Sequence, residues 1–522
     1  MAAALLWVCS FLFSLATLDL LNDHFHRISS ARQIVVYADI PFRDFLDPGF
    51  FLTELASAAL QRLLGDNLLG EALLVTASIA TGTVFVFLLA RRLSQSAVLA
   101  AIVALVALAC APRAYDFDKV LFYPLGLLLC WRYAERPGAG RLSALAAGAA
   151  AAGLFRYDSG VYIVAVAVVT IAVVHAPVWK AMVRRTALLG CFISVCLAPA
   201  AVFIQVNGGI ANAADQMVAY ARREAARTEL ARQRFVHEES WLTRANASVF
   251  LYYFLRTLPL ACAFLMIVRV RRNGDTSRLE IARVATLVTM SVLLNLFILR
   301  DPVSARVGGM AGSFAVLSAW LVQRAWLTRS VVARGSAALV LAAAVWSVFA
   351  VANWPPRLAR GRLTPSVVFS TIERLAASPP RYETMPSSRY VQMVQYLREC
   401  TSPRDRVLLA WFAPDVYFFA QRGFAAGMAA VFGAHWSEPR FEERSLRIFA
   451  AQSVPIVIVR ATDESFERSY PLTARYLHDH YHAAGTTDFG DPDIDAGGYE
   501  VLIRNDREPT RRHAPTSMPC FW

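Results

Sequence analysis

Eleven apolar runs break the chain into segments at residues 3–21, 71–90, 95–111, 120–134, 142–155, 161–177, 186–206, 247–268, 283–299, 309–327 and 335–353. A helix needs about 20 apolar residues to cross the hydrocarbon core of a bilayer. The runs therefore predict a polytopic α-helical membrane protein with about 11 transmembrane helices. The fifth run is short and leads through Phe155–Gly160 straight into the sixth. A short span ending at a charged turn suits a cavity wall better than a lipid-facing position. Residues 1–21 lack a basic leading segment and a small-residue cleavage site, so they read as a retained first span.

The periodicity changes after residue 354. Residues 355–400 form a Pro- and Arg-rich connector that turns helical near Val391–Arg398. Arg406–Phe412, Pro455–Val459 and Tyr499–Ile503 then read as buried strands, with helical stretches at 440–451 and 465–482. Strand–helix alternation predicts a small α/β domain. The expected organisation is a membrane domain over 1–354, including a first outer loop at 22–70, and an extracytoplasmic α/β domain over 355–522.

The polar segments between spans carry the candidate chemistry. Residues 22–54 hold Asp23, Asp39, Asp44, Asp47 and Glu54 together with His24, His26, Arg27, Arg32 and Arg43. Residues 25–37 suit an amphipathic helix lying on the membrane interface. Pro41–Phe45 and Asp47–Gly49 then break into turns, and a second amphipathic helix follows at about 50–64. The next outer loop places Asp116, Asp118 and Lys119 at one mouth of the bundle. Lys119 is either the partner of one of these acids or a phosphate ligand. Arg156 and Asp158 read as a mutual pair that caps the sixth span. Asp215–Arg234 reads as a charged helix with a solvated face laced by i,i+4 pairs. Arg300 and Arg306 flank a membrane exit, where they either snorkel to the surface or hold an anionic head group.

Composition narrows the picture. Of 522 residues, 57% are hydrophobic, which excludes an ordinary soluble domain. The net charge of +13 calls for no nucleic acid, since Arg gathers in the loops after the even-numbered spans, where anionic lipid would meet it. That bias puts the N-terminus in the cytoplasm and the C-terminal domain outside. Cys400 and Cys520 both fall in the outer domain, where an oxidising compartment would allow a disulfide and where two free thiols are the alternative. The other six cysteines lie in or beside spans and read as packing residues. His478, Asp479, His480 and His482 read as solvated surface rather than a metal tract. No metal site is legible, although the acids could hold a divalent cation.

The order of a span, Asp23 just after it, an interfacial helix and then P-F-R-D-F-L-D-P-G at residues 41–49 resembles the bacterial GT-C glycosyltransferases of the protein O-mannosyltransferase and lipid A aminoarabinose transferase superfamily. The resemblance extends to Tyr115–Lys119, Phe155–Gly160, Asn207–Glu229, Leu299–Arg306 and Ala319–Leu321. It implies an inner-membrane enzyme of a bacterial cell envelope. Such an enzyme takes a sugar from a polyprenyl-phosphate carrier and transfers it, with inversion, to an acceptor hydroxyl of a glycan, lipid or protein outside the cytoplasmic membrane. In that superfamily an Asp after the first span, usually followed by Glu, lies at the reaction centre. Asp23 matches the Asp, whereas His24 stands in place of the Glu.

The chemistry of such a transfer asks for few groups. A carboxylate removes the acceptor proton, and cations stabilise the departing phosphate. The residues single out Asp23 as base, with Asp44 as the alternative. Arg43, Lys119, Arg300 and Arg306 are the candidates for the phosphate. His24, Asp116, Asp118, Arg156 and Asp158 are further candidates for substrate contact. A transporter or flippase of lipid-linked sugars would use a similar membrane body, but the chain shows no internal repeat of the kind many transporters carry.

Overall fold

The structure is a computed structural model. It describes residues 1–226, 240, 243–273, 277–300, 303–327, 330–352, 354, 364–379, 381–462, 464–491, 494 and 497–522. The chain divides into two compact units. One comprises Met1–Asp19, Leu73–Pro199 and Arg227–Val368; the other comprises Leu20–Ala72, Ala200–Ala226 and Phe369–Trp522.

The first unit is a helix bundle. Among the described residues seven helices are long and apolar enough to cross a membrane: Leu68–Ser94, Tyr157–His175, Trp179–Asn207, Arg244–Arg272, Arg278–Leu299, Val303–Leu327 and Val331–Val351. Ala2–Ala16, Ala97–Ala109 and Ala139–Phe155 are apolar but shorter. Phe117–Glu135 matches the fourth apolar run. Each apolar run of the sequence thus falls on a helix. The first helix ends at Ala16, earlier than the run that predicts it.

Small residues set how closely the bundle packs. A Cβ on Gly160 would come within 2.6 Å of the Gly153 Cα, so the short helix Ala139–Phe155 and its successor touch backbone to backbone. Large side chains fill the remaining space, with Trp131 and Trp320 almost wholly buried. Trp179–Asn207 is the opposite case, with only 6% of its most apolar window buried. A long apolar helix left that bare suits a lipid environment.

The second unit is α/β. Its five-stranded sheet runs β2-β1-β3-β5-β4, from β1 (Arg406–Leu409), β2 (Gly423–Phe424), β3 (Ile456–Arg460), β4 (Tyr481–Thr487) and β5 (Tyr499–Arg504). β1 is parallel to β2 and β3, whereas β5 is antiparallel to β3 and β4. β1, β3 and β5 are the predicted strands, β1 three residues shorter, β3 shifted by one residue and β5 one residue longer. The helical stretches appear as Pro439–Ala450, Ser465–Ser469 and Pro471–His480. β4 begins in the last two residues of the stretch expected to be helical, 465–482, and continues beyond it. Cys400 and Cys520 form a disulfide across 120 residues and tie the chain end to helix Val391–Cys400.

The predicted interfacial helix has a different setting. Asn22–Tyr37 is helical, and His24 through Gln33 are all buried within this unit. A helix this polar stays buried because its polar groups find partners. Ser29 Oγ donates to the Pro414 carbonyl at 2.8 Å, Arg32 Nη2 to the Gln421 carbonyl at 3.2 Å, and Gln33 Nε2 to the Phe424 carbonyl at 3.0 Å. Tyr37 Oη accepts from the Gly423 N–H at 2.8 Å. The helix thereby covers the short edge strand β2, which would otherwise expose unpaired backbone. Helix Phe51–Leu64 packs on its other side, where Gln61 Nε2 donates to the Ile28 carbonyl at 3.1 Å.

Candidate functional site

In the second unit the candidates fall in two places: Asp23 and His24 at the start of helix Asn22–Tyr37, and Arg43 and Asp44 in the turn that follows its C-terminal end. Asp23 occupies its first turn and is exposed. His24, the next residue, is fully buried, with Nε2 2.6 Å from Glu71 Oε1. Ser57 Oγ donates to the second Glu71 oxygen at 2.5 Å. Neighbouring residues therefore face opposite ways: Asp23 looks outward while His24 anchors the helix inward. Asn22 holds the same turn by donating to the Phe412 carbonyl and accepting from the Asp415 N–H, each at 3.3 Å.

Burial dominates the proton affinities nearby. It pushes the Asp47 carboxyl up to about 6, against the opposing pull of the Phe50 and Gly49 N–H groups and the Arg27 charge. It raises Glu54 well above the usual range, helped by the Asp47 charge. His26 falls to about 4, first through burial and then through the charges of Arg27 and His435. These groups sit inside the fold and shape it. Asp47 Oδ1 accepts from the Gly49 and Phe50 N–H groups at 2.7 and 2.8 Å and so locks the turn before helix Phe51–Leu64.

Arg43 and Asp44 turn towards each other. Arg43 Nη2 lies 2.7 Å from Asp44 Oδ2, and the Ile40 N–H donates to the same oxygen at 2.8 Å. Burial alone would raise the Asp44 carboxyl, but the Arg43 hydrogen bond, the Ile40 N–H and the Arg43 charge together hold it below its ordinary value. Asp44 is thus a turn-former and a weak base. Phe42 beside it takes a left-handed backbone, with φ of 64°. That strained geometry aims its carbonyl at three side chains: Asn212 Nδ2 at 2.9 Å, Gln216 Nε2 at 3.1 Å, and Arg444.

The charged helix predicted at 215–234 appears as Ile210–Ala226, and its remainder lies outside the described residues. Its described charges make tertiary contacts, while the partners of the expected i,i+4 pairs beyond Ala226 lie outside the described residues. Asp215 meets Arg440 at 3.0 Å, Arg223 Nε donates to the Gly433 carbonyl, and Glu224 Oε1 lies 2.8 Å from His435 Nε2.

In the first unit three separate turns converge. Ala114–Asp116 is a 3-10 turn that feeds directly into helix Phe117–Glu135, so Asp118 and Lys119 lie in the first helical turn. Lys119 Nζ meets Asp116 Oδ1 at 2.6 Å, both side chains being buried. Arg156 is an extended break between two helices, and its Nε meets Asp158 Oδ1 at 2.8 Å. Arg156 and Arg306 both act electrostatically on Asp116 and on Lys119. Lys119 Nζ also sits 4.8 Å from the centre of the Phe297 ring. The backbone of Arg300 closes helix Phe297–Arg300, while its side chain lies outside the described residues, as do Asp301 and Pro302. The described cluster sets three cations, Lys119, Arg156 and Arg306, against three carboxylates, Asp116, Asp118 and Asp158.

Hollows lie among the described residues of this unit. A small cavity of about 20 Å³ beside Lys119 is lined by Pro112, Tyr123, Gly308 and Ser313. A larger apolar groove of about 150 Å³ is walled by Val103, Leu255, Phe314 and Val348. Among the described residues no group of three or more metal-binding side chains occurs. His478, Asp479, His480 and His482 are exposed and split between a helix end and β4.

Two contributors escape a reading of the loops. Glu71 stands in the first turn of a long apolar helix, and an ionisable residue there is a signal in itself. Asp415 is fully buried, and burial pushes it up to about 7 against the opposing pull of the Asp415 and Val416 N–H groups and the Arg389 charge. Nothing in the sequence around Asp415 marks it. No protein-family model matches the chain, and a search of curated proteins finds no significant relative.

Proposed function

We propose that the chain is an inner-membrane glycosyltransferase of the GT-C type. It moves a sugar from a polyprenyl-phosphate-sugar to an acceptor hydroxyl of the cell envelope on the extracytoplasmic side. The observation that carries the reading is the convergence of Asp116, Asp118, Lys119, Arg156, Asp158 and Arg306 from separate turns at one end of an apolar bundle. Ionisable groups are costly in such a place unless they serve a polar substrate or one another. Eleven membrane spans, an internal N-terminus and an external second unit complete the proposed topology. The Cys400–Cys520 disulfide supports that side for the second unit, since such bonds persist in oxidising compartments.

The residues divide the work in the following way. The acceptor oxygen attacks the anomeric carbon, and the bond from that carbon to the phosphate oxygen breaks with its electron pair leaving on the phosphate. Asp23, which is exposed, takes the acceptor proton, whereas Asp44 is held by Arg43. Lys119, Arg156 and Arg306 stabilise the departing polyprenyl phosphate, which competes with Asp116 and Asp158 for their donors. Attack from the face opposite the leaving group inverts the anomeric centre. The apolar groove along Val103, Leu255, Phe314 and Val348 suits a stretch of the polyprenyl tail.

A buried balanced charge cluster also suits a carrier of lipid-linked sugars, and one experiment separates the two readings. Membranes with wild-type protein or Asp23→Asn at equal expression are given a radiolabelled polyprenyl-phosphate-sugar pool. Label leaving the lipid only with wild type supports the transferase and its base. Label that stays on the lipid with both proteins, while crossing the membrane, supports the carrier.

A further inference from the structure

The opposite ends of the same helices carry a second set of charges. Lys119 and Glu135 lie 16 residues apart on helix Phe117–Glu135, about 24 Å at 1.5 Å per residue. Around Glu135, Arg283 Nη2 sits at 2.7 Å and Arg92 Nη1 at 3.8 Å. Around Glu280, Arg324 makes the close contact and Arg269 Nη2 stands at 3.8 Å. Each carboxylate therefore has one close arginine and one distant one. The close pairs neutralise each other, and among the described residues Arg92 and Arg269 add positive charge beyond them.

The donor count agrees with the charge count. Among the described residues, Arg92 Nη1 and the Nε atoms of Arg269, Arg283 and Arg324 are buried without a hydrogen-bond acceptor. Buried guanidinium donors are rarely left so, and they normally point to an anion or to water. Trp131 and Trp320 flank the cluster. Their rings lie 5.5 Å from the Arg283 guanidinium and 5.9 Å from that of Arg324. Trp131 Nε1 donates to Thr286 Oγ1 at 2.8 Å and Trp320 Nε1 to Glu280 Oε1 at 3.4 Å. The N-terminus of helix Arg278–Leu294 is already capped by Ser277 Oγ, so the unsatisfied donors are those of the side chains.

We propose that this cluster binds a phosphate group through Arg92 and Arg269, with Arg283 and Arg324 contributing their free Nε–H groups. The planar fork of arginine matches two phosphate oxygens at once. The phosphodiester of an anionic phospholipid and free phosphate share this chemistry. The site is separate from the proposed reaction centre and stands whether or not the chain is a transferase.

The test uses the full-length chain in nanodiscs of phosphatidylcholine, with phosphatidylglycerol or inorganic phosphate added in separate arms. The reading is the shift in thermal midpoint, with lipid retention measured by native mass spectrometry. The comparison variant is Arg92→Gln/Arg269→Gln, which keeps both close ion pairs. Arg91→Gln, an exposed neighbour, is the control for general surface charge. The expected result is a rise in midpoint with phosphatidylglycerol for wild type and the control, reduced by at least half in the double variant. A rise with inorganic phosphate alone, lost in the double variant, also supports the site and assigns it to free phosphate. Equal responses of wild type and double variant overturn the proposal, as does a wild type indifferent to both additions. Should the double variant not fold, retention of phosphatidylglycerol over phosphatidylcholine by wild type, compared with Arg269→Gln alone, decides in the same terms.

Discussion

His24 Nε2 lies 2.6 Å from Glu71 Oε1 with neither side chain open to solvent, and this contact pins the turn that carries Asp23. Removing one member of a buried pair costs about 3–5 kcal/mol, because the other is left in a medium that does not solvate it. His24→Phe leaves Glu71 with the Ser57 hydroxyl as its close partner. The expected outcome is a large loss of thermal midpoint in His24→Phe and partial recovery in His24→Phe/Glu71→Leu, where no carboxylate remains. Equal melting of the single and double variants would show that the pair contributes little.

Asp23 and Asp44 differ in what surrounds them, and the difference fixes opposite expectations. Asp23 is exposed in the first turn of its helix, so Asp23→Asn lowers the melting midpoint only slightly. If Asp23 is the base, transfer falls by roughly 10²–10⁴-fold, the range general-base catalysis supplies. Asp44 accepts the Ile40 N–H and the Arg43 guanidinium, so Asp44→Asn loosens the 40–44 turn while retaining most of the transfer. Parallel melting and label-transfer assays on the two variants check both. Transfer lost in Asp44→Asn but kept in Asp23→Asn would reverse the assignment.

The membrane helices were legible because an apolar run of the right length has few other fates. The strands Arg406–Leu409, Ile456–Arg460 and Tyr499–Arg504 were legible from their own apolar content. The setting of helix Asn22–Tyr37 was not. Its Arg, Ser and Gln residues suggest exposure, and only the carbonyls at Pro414, Gln421 and Phe424, some 390 residues away, make its burial affordable. The same limit hides Asp415, whose environment comes entirely from tertiary packing. The pairing of Lys119 with Asp116 was one of two readings open from spacing alone, and their three-residue separation on a tight turn makes it possible.

The buried Asp415 carboxyl has a consequence for pH. Burial raises it to about 7, so the folded protein holds its proton where the unfolded chain, at about 3.9, has lost it. The stability associated with this group is fully present below pH 3.9 and is lost as pH rises towards 7. Asp415→Asn removes the titration. The variant is expected to melt several degrees above wild type at pH 8 and to match it near pH 4, in a scan of midpoint against pH. A gap that does not change with pH would show that the carboxyl does not titrate in this range.

The disulfide between Cys400 and Cys520 closes a long loop, and such links typically contribute about 2–4 kcal/mol by restricting the unfolded chain. Alkylation of intact protein is expected to label neither residue until a reductant is added. Cys520→Ser is expected to lower the midpoint of the second unit and increase its cleavage by protease. Quantitative labelling of both thiols without reduction would show that the link does not form.

Gly308 offers a test of how the loop before Lys119 is held. A Cβ at this position would meet the Pro112 Cα at 2.5 Å and its N at 2.8 Å, both backbone atoms that cannot swing aside. Gly308→Ala must therefore push residues 111–113 away from helix Val303–Leu327 and tilt the turn that carries Asp116. Gly335→Ala is the matched control, since nothing lies within 4 Å of its Cβ. The expected outcome is a lower midpoint for Gly308→Ala and no change for Gly335→Ala. If the cluster around Lys119 holds the donor, transfer by Gly308→Ala also falls through a raised KM for the polyprenyl-phosphate-sugar. A Gly308→Ala protein with normal KM but lowered midpoint would assign the contact to folding alone and separate the cluster from donor binding.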